Sequence, residues 1–273
     1  MYGTGASQSS FGRAAALCAL TYHATVRSIR KGNGNALVGL LMSILQTIIL
    51  ILTFWILMTF FNLRGLALRG DFALFLMSGV FLFMTNTKAM GAVAAAEGPT
   101  SPMMLHAPMN TAVAIAAAAL GSLYTQVLSM VVVLYGYHAF FTPITIDDPA
   151  SAFGMVLLAW WLGVSVGMVL LAARPWWPGA VGLASTIYSR ANMIASGKMV
   201  VANTLPFTML SLFQWNPLFH LIDQSRGYVF INYNPRQTNY MYAVYVSIAL
   251  MVVGLMGEFY TRRHASLSWG AKR

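Results

Sequence analysis

The chain has 273 residues, of which 58% are hydrophobic and only 8% are charged, and its formal net charge is +10. Soluble globular domains carry roughly 25% charged residues, so this composition excludes an ordinary soluble domain and indicates an integral membrane protein. In such a protein an excess of basic residues is typical of the loops and tails that set topology. We therefore expect contact with membrane lipid and no nucleic-acid partner.

The first predicted element is an amphipathic helix over residues 11–31 that lies at the membrane surface. Its basic residues gather on one side at helical spacing; they are Arg13, Arg27, Arg30 and Lys31. The opposite side carries Phe11, Ala14, Cys18, Tyr22 and Ile29. A basic face toward headgroups is typical of interfacial helices, and a solvated leader that only sets topology is the alternative. We divide the chain here into an N-terminal segment, 1–35, and a membrane domain, 36–273.

Six transmembrane helices are predicted in the membrane domain, which gives an all-α fold. They cover about residues 37–61, 72–88, 111–139, 152–173, 180–197 and 240–257, each close to the ~20 residues that cross a bilayer. In the fourth, Gly163 and Gly167 form a small-xxx-small pair that permits close helix contact. The fifth is unusually polar and contains Arg190.

Six spans place both termini on one side of the membrane, and the basic residues predict that this side is the cytoplasm. The basic residues that then face the cytoplasm are Arg13, Arg27, Arg30, Lys31, Lys88, Arg174, Arg262, Arg263, Lys272 and Arg273. Fewer face outward, namely Arg64, Arg69, Lys198, Arg226 and Arg236, and Arg190 remains within the membrane.

The stretch between the fifth and last spans is too proline-broken for an ordinary span and too apolar for a hydrophilic loop. Residues 216–223 read Asn-Pro-Leu-Phe-His-Leu-Ile-Asp, and Ser225-Arg226-Gly227 follows. Irregular backbone beside a bilayer is tolerated only where protein or a water-filled cavity satisfies its polar groups. We therefore predict a re-entrant segment over 205–236, just before the last span.

The polar residues of this segment are spaced so that they can interact on a helix. His220, Asp223 and Arg226 lie at i, i+3 and i+6, so Asp223 can pair with either neighbour. The trio can either fasten the re-entrant turn or contact a substrate directly, since charges within membranes usually pair with each other. We expect Pro217 and Pro235 to end helices and Gly227 to allow a tight turn.

No sequence motif indicates an autonomous enzyme. The nearest approach to a Walker A motif is Gly197-Lys198, which lacks the upstream glycine and the following hydroxyl. The histidines and acids are scattered, so no metal site is expected, and the single cysteine, Cys18, excludes an intrachain disulfide.

The Asn-Pro-Leu-Phe-His-Leu-Ile-Asp block, the arginine that follows it and the order of spans resemble the permease subunit of type 2 ABC exporters. The similarity is greatest to those that export capsular polysaccharide, O-antigen or polyol phosphate polymers. The resemblance implies a homodimer that associates with two ABC ATPase subunits in the bacterial cytoplasmic membrane. It implies that a lipid-linked or free polysaccharide is the substrate. ATP and magnesium would be bound by the ATPase chains, so no cofactor is expected on this chain.

The resemblance also implies three groups of functional residues. A periplasmic gate would be formed by Trp215, Asn216, Pro217, Phe219, His220, Asp223 and Arg226. Coupling to the ATPase is placed by position at Glu97, Gly98, Pro99 and Arg174. The channel would be lined by Arg190, Tyr188, Asn192 and Ser196, where the arginine attracts anionic groups on a passing glycan. Lys198 departs from the family pattern, which is usually apolar at this position.

Several alternatives remain open on the sequence alone. If the fifth span covered 198–214 instead, Arg190 would be a cytoplasmic anchor. A type 2 ABC permease for a small molecule or lipid is the second functional reading. A membrane-embedded transferase is a third, although it would need clustered carboxylates or a metal site.

Overall fold

The computed structural model describes residues 10–31, 35–61, 71–98 and 111–264, and this part of the chain is entirely helical. The helices are α1 (Ser10–Lys31), α2 (Ala36–Phe60), α3 (Phe72–Ala94), α4 (Thr111–Phe140), α5 (Pro149–Ala173), α6 (Pro178–Ala195), α7 (Phe207–Phe213), α8 (Pro217–Val229) and α9 (Tyr240–His264). A short 3₁₀ turn, Ala202–Thr204, precedes α7. Within these ranges, α2, α3, α4, α5 and α9 are long and apolar enough to cross a membrane, so the chain is a multi-pass all-α membrane protein.

The helices agree with five of the predicted spans and extend two of them. The prediction ended the second span at residue 88, whereas α3 continues to Ala94, and the Lys88 ammonium donates to the exposed side chain of Gln46 on α2. The last helix continues to His264 instead of ending at residue 257. The predicted fifth span corresponds to α6, whose polar residues exclude it from the group of long apolar helices.

Capping side chains define where several helices begin. Asn35 accepts a hydrogen bond from the Leu37 amide, and Asp148 accepts one from the Ser151 amide. These acceptors satisfy backbone donors that the first helical turn cannot pair internally. Proline occupies the first position of α5, α6 and α8, where its missing amide hydrogen costs nothing.

Asp71 caps α3 and also joins it to the end of α4. One carboxylate oxygen accepts from the Ala73 and Leu74 amides, and the other accepts from the Tyr137 hydroxyl at 2.8 Å and the Thr142 hydroxyl at 2.9 Å. Burial acts to raise the pKa of Asp71, but these hydrogen bonds outweigh it and hold that pKa below its usual value.

Glycines allow α3, α5 and α9 to pack side by side. A Cβ at Gly163 would collide with the Asn86 carbonyl of α3, and one at Gly167 would lie 2.8 Å from the Met90 carbonyl. On the other side of α5, a Cβ at Gly254 would lie 2.6 Å from Met168 Cβ. The close contact predicted for the Gly163 and Gly167 pair is thus confirmed.

The N-terminal helix predicted over 11–31 is confirmed as α1, which packs along α4 and touches α2. Ser28 and Ile29 approach Gly121 of α4, where a Cβ would lie 3.5 Å from Ile29 Cγ1. Of the residues expected on its apolar side, Ile29 contacts α4, whereas Tyr22 and Cys18 are exposed.

The alternative placement of the fifth span at 198–214 is wrong. The chain leaves α6 at Ala195, turns at Gly197 with a φ of +71°, and forms no continuous helix before α7. Arg190 consequently lies within the helix Pro178–Ala195.

The glycine contacts predict opposite effects of one substitution at two sites in α5. Gly163→Ala forces a methyl group into the α3 backbone and should lower the free energy of unfolding by about 1–3 kcal/mol. Gly154→Ala is the matched control, because no atom lies within 4 Å of its added Cβ and alanine favours the helix by about 0.5–1 kcal/mol. Thermal unfolding of both variants in one detergent tests this; equal midpoints would contradict the contact.

Candidate functional site

The region between α6 and α9 folds into the bundle instead of crossing it. Helix α8 packs against α3, α5 and α9, and it is the most deeply buried short element of the described chain. Its apolar residues Leu218, Leu221 and Ile222 are at most 1% exposed and belong to the main core. The candidate site is therefore built around α8 and the segments that it holds.

Arg226 is the central cation of this region and is fully buried. Its Nη1 donates to the Gly197 carbonyl at 3.0 Å and to the Val200 carbonyl at 2.6 Å, while Nη2 donates to the Lys198 carbonyl at 2.6 Å. The guanidinium also lies 4.0 Å from the centre of the Phe75 ring. One side chain thus satisfies the carbonyls of the turn after α6, which no helix satisfies.

Asp223 holds the other side of α8 and does not form the predicted pair with Arg226 or His220. Its carboxylate accepts from the Tyr233 hydroxyl at 2.5 Å and the Thr238 hydroxyl at 2.7 Å. It also accepts from the Ala202 amide at 3.4 Å. The geometry therefore supports a fastening role for this carboxylate, because it ties the connection to α9 and the 3₁₀ turn onto α8.

His220 joins α8 to both neighbouring connections as a neutral ring. Its Nδ1 accepts from the Asn239 amide at 3.0 Å, so Nε2 carries the proton and donates to the Gln214 carbonyl at 2.9 Å. Burial lowers the pKa of His220, and this effect exceeds the opposing effects of the Gln214 carbonyl and the Asp223 charge. The folded state therefore favours the uncharged ring.

Asn216 and Phe219 attach the beginning of α8 to the end of α6. The Asn216 amide donates to the Asn192 side chain and to the Ala195 carbonyl, both at 2.9 Å, while its oxygen caps the Leu218 amide. The Phe219 ring covers Gly197 so closely that a Cβ there would collide with it. Glycine is required at this turn by both the ring and the positive φ.

Two residues of the predicted re-entrant segment that were expected to interrupt helices act differently from expectation. Pro217 begins α8 and does not end a helix. Gly227 lies within α8 and makes no tight turn; a Cβ there would be 2.7 Å from Pro235 Cδ, so it admits the proline of the following connection. Among the predicted gate residues Trp215 is the exposed one, with 82% of its side chain accessible.

The predicted channel residues do not share one face of α6. Tyr188 donates to the Asn86 side chain at 3.0 Å, and Asn192 donates to the Tyr188 carbonyl at 3.0 Å. Asn192 and Ser196 are buried, at 4% and 0% exposure. These three residues follow one another at a spacing of four and face the bundle, so they are not on the open surface of this chain.

Arg190 lies on the opposite, exposed face of α6. Its neighbours on that face are apolar and exposed, namely Leu183, Ile187 and Ile194. Among the described residues it makes no hydrogen bond or ion pair. Helix α6 packs lightly against α3 and α5, and its end is joined to the beginning of α8 through Asn216. The structure thus leaves a single cation on a largely apolar, exposed face of α6.

Lys198 is a second buried cation whose position the sequence did not predict. It is 1% exposed, and its Nζ lies 4.0 Å from the centre of the Phe83 ring and 4.8 Å from that of Phe54. The ammonium donates to the Met193 carbonyl. The two rings that receive it are more than a hundred residues away in the chain, so no local pattern could indicate them.

The predicted coupling residues meet at one end of the bundle, as far as they are described. Arg174 Nη1 donates to the Ala94 carbonyl at the end of α3, at 3.3 Å. Gly98 lies beside Leu171 of α5, and Glu97 is half-buried next to it. Pro99 lies outside the described residues.

The Arg226 contacts predict a severe local effect of removing the guanidinium. Arg226→Met leaves the Lys198 and Val200 carbonyls without a donor and takes one of two donors from the Gly197 carbonyl, so it should lower the free energy of unfolding by about 3 kcal/mol or more. Arg226→Lys should recover only part of this loss, because an ammonium lacks the planar fork. Hydrogen exchange at residues 196–204 and thermal unfolding measure the effect, with the exposed Arg236→Gln as control. Unchanged exchange in Arg226→Met would contradict the assignment.

The depressed pKa of His220 predicts a loss of stability on mild acidification. As the pH falls below about 6.5, the unfolded chain binds a proton at this histidine before the folded chain does, so the folded state loses stability. Thermal midpoints of the wild type should therefore fall between about pH 7 and pH 5. His220→Asn should show a smaller fall over the same range. Parallel profiles would show that His220 does not contribute.

Within the described ranges, no group of three or more histidine, cysteine or acidic side chains could hold a metal ion. Compared with known proteins, the chain matches no family model and no curated protein. The functional argument therefore rests on the geometry around α6 and α8 and on the sequence block that forms it.

Proposed function

We propose that this chain is the membrane-channel subunit of an ATP-driven exporter that moves a polysaccharide, lipid-linked or free, across the bacterial cytoplasmic membrane. In this proposal two copies form the channel and two separate ATPase chains drive it. The observation that carries the proposal is α8, a short helix folded back into the bundle before the last span and preceded by the short, largely exposed α7.

The depth of α8 supports a re-entrant gate. The beginning of α8 contacts Asn192, which lies four residues after Tyr188 on α6. The Tyr188 hydroxyl donates to Asn86, and Asn86 lies beside Gly163 in the middle of α5. Its last turn lies at the beginning of α5, where the Asp148 amide donates to the carbonyl of residue 228 at 2.8 Å. Helix α8 therefore occupies about half of the bundle height, as a segment that enters and leaves at one face would.

The uncovered face of α6 supports a second copy of the chain and a sixth span. A lone arginine facing lipid at a helix centre costs about 2.5–3.5 kcal/mol on insertion scales. A water-filled channel between two copies would remove most of that cost and would place Arg190 where anionic groups of a glycan pass. We keep Arg190 as the channel residue; Tyr188, Asn192 and Ser196 support the helix from behind.

The opposite end of the bundle supports attachment of an ATPase. Arg174 bridges the turn after α5 to the end of α3, so a force applied at either segment reaches both helices. The basic residues at this end, Arg174, Arg262 and Arg263, favour a cytoplasmic location for it and support the proposal that both termini lie in the cytoplasm. The chain itself has no nucleotide-binding motif, so ATP and magnesium would belong to the partner.

The proposal is tested by deleting the gene and complementing the deletion. Deletion should abolish surface polysaccharide and leave polymer in the cytoplasm, and the wild-type gene should restore export. Arg190→Ala should reduce export about tenfold, the size expected for one lost charge-assisted contact, whereas Arg190→Lys should retain most of it. Arg236→Gln is the control for an exposed cation away from α6.

The outcomes separate the alternatives. Unchanged surface polysaccharide after deletion would overturn the proposal and favour a permease for a small molecule or lipid. Loss of polymer both outside and inside the cell would favour a membrane-embedded transferase. Full export by Arg190→Ala would keep the exporter but remove Arg190 from the channel.

A further inference from the structure

A cavity of about 420 Å³ with several polar side chains in its lining lies between α1, α2, α3 and α4, away from the α8 region. Cavities of roughly 300–1,000 Å³ are the usual size of ligand sites. The polar side chains in its lining include Ser43, Gln46, Lys88, Ser122, Thr125 and Gln126. None of them belongs to the gate, the coupling end or the open face of α6.

The charge in this cavity is uncompensated. Lys88 Nζ donates to Gln46 Oε1 at 2.5 Å, and within the described ranges that is its one hydrogen bond and it forms no ion pair. Charged side chains inside membrane helices are usually paired, because an isolated charge is costly there. A neutral amide oxygen leaves the net positive charge in place, so the cavity favours an anion.

A second donor in the cavity lacks an acceptor. Gln126 is 5% exposed; its oxygen accepts from the Ser43 hydroxyl at 3.4 Å, and its Nε2 is buried without a hydrogen-bond partner. Leaving such a donor unpaired costs about 1–3 kcal/mol. A ligand with several acceptor oxygens would satisfy this amide and the Lys88 ammonium together.

The position of the cavity indicates which anion it meets. It lies toward the end of the bundle where α2 and α4 begin and α3 ends, the end that also carries Arg174 and Arg262. Helix α1 borders it through Ser28 and Ile29. Beside it, α2 exposes apolar side chains that suit an acyl chain, namely Leu41, Met42 and Leu45. Basic pockets between membrane helices at the basic face bind lipid headgroups.

We propose that this cavity binds the phosphate group of an anionic phospholipid, with Lys88 as the counterion and the amides of Gln46 and Gln126 as polar contacts. The acyl chains lie on the exposed apolar face of α2. Bound lipid then fills the space between α1 and the bundle and anchors the N-terminal helix. This inference does not depend on the proposed export function.

The experiment measures lipid binding to the delipidated full-length chain in neutral detergent by native mass spectrometry. The probes are phosphatidylglycerol, zwitterionic phosphatidylcholine and inorganic phosphate as a competitor. The wild type should bind one phosphatidylglycerol in preference to phosphatidylcholine, and Lys88→Met should weaken that binding about fivefold. Lys88→Arg should retain it, and Arg263→Gln, which removes a cation at the same end but outside the cavity, should leave it unchanged.

Each outcome of the lipid-binding experiment either supports or overturns the proposed site. Displacement of the lipid by inorganic phosphate supports the phosphate site with a free anion as its source, and resistance to displacement assigns the lipid. Wild-type affinity in Lys88→Met overturns the proposal, as does an equal loss in Arg263→Gln, which would indicate general surface charge. If Lys88→Met does not fold, Gln126→Leu replaces it: weakened phosphatidylglycerol binding supports the site, and unchanged binding overturns it.

Discussion

The structure depends on the three backbone carbonyls that Arg226 binds. After α6 the chain turns within the bundle, and the oxygens of residues 197, 198 and 200 have no helical partner there. An unsatisfied carbonyl at this depth would be costly, because no water is present to replace the missing donor. The guanidinium supplies three donors in one plane, and Phe75 covers its face. Because that turn is stable, α8 can remain inside the bundle, and the loops on both sides of α8 attach to it through Asp223, His220 and Asn216.

A second constraint is the close approach of neighbouring helices. Gly163 and Gly167 let α5 touch the α3 backbone, and Gly254 lets α9 touch α5 from the other side. In a membrane the hydrophobic effect does not drive helices together, so such backbone proximity and its dispersion contacts provide the association. Helices α3, α5 and α9 form a closely packed group, and α8 packs against all three. By contrast, α6 has few contacts with α3 and α5, and one of its faces is exposed.

Sequence patterns predicted the parts of the fold that depend on local information. The limits of the apolar runs gave five of the long helices within a few residues, and the small-residue pair gave the contact between α3 and α5. The prolines at 217 and 235 indicated an interrupted segment, because proline is not tolerated in a helix interior. The i, i+3 spacing of His220, Asp223 and Arg226 suggested ion pairs, but their partners proved to be backbone groups and hydroxyls of distant segments. Such partners carry no spacing signal, and the cage of Phe54 and Phe83 around Lys198 was invisible for the same reason.

The burial of α8 has a consequence for how the protein is made. Helix α8 has 13 residues, or roughly 20 Å, and is too short and polar to insert into a bilayer of about 30 Å by itself. Its partners are distributed across the chain: Phe75 is synthesised long before it, and Asn239 and Tyr242 follow it. The region from α6 to α8 therefore settles only after α3 and α5 are in place and once α9 has arrived to cover it. We therefore expect the last folding step in the membrane to be the packing of α9 against α8, because α8 is not stable in lipid by itself.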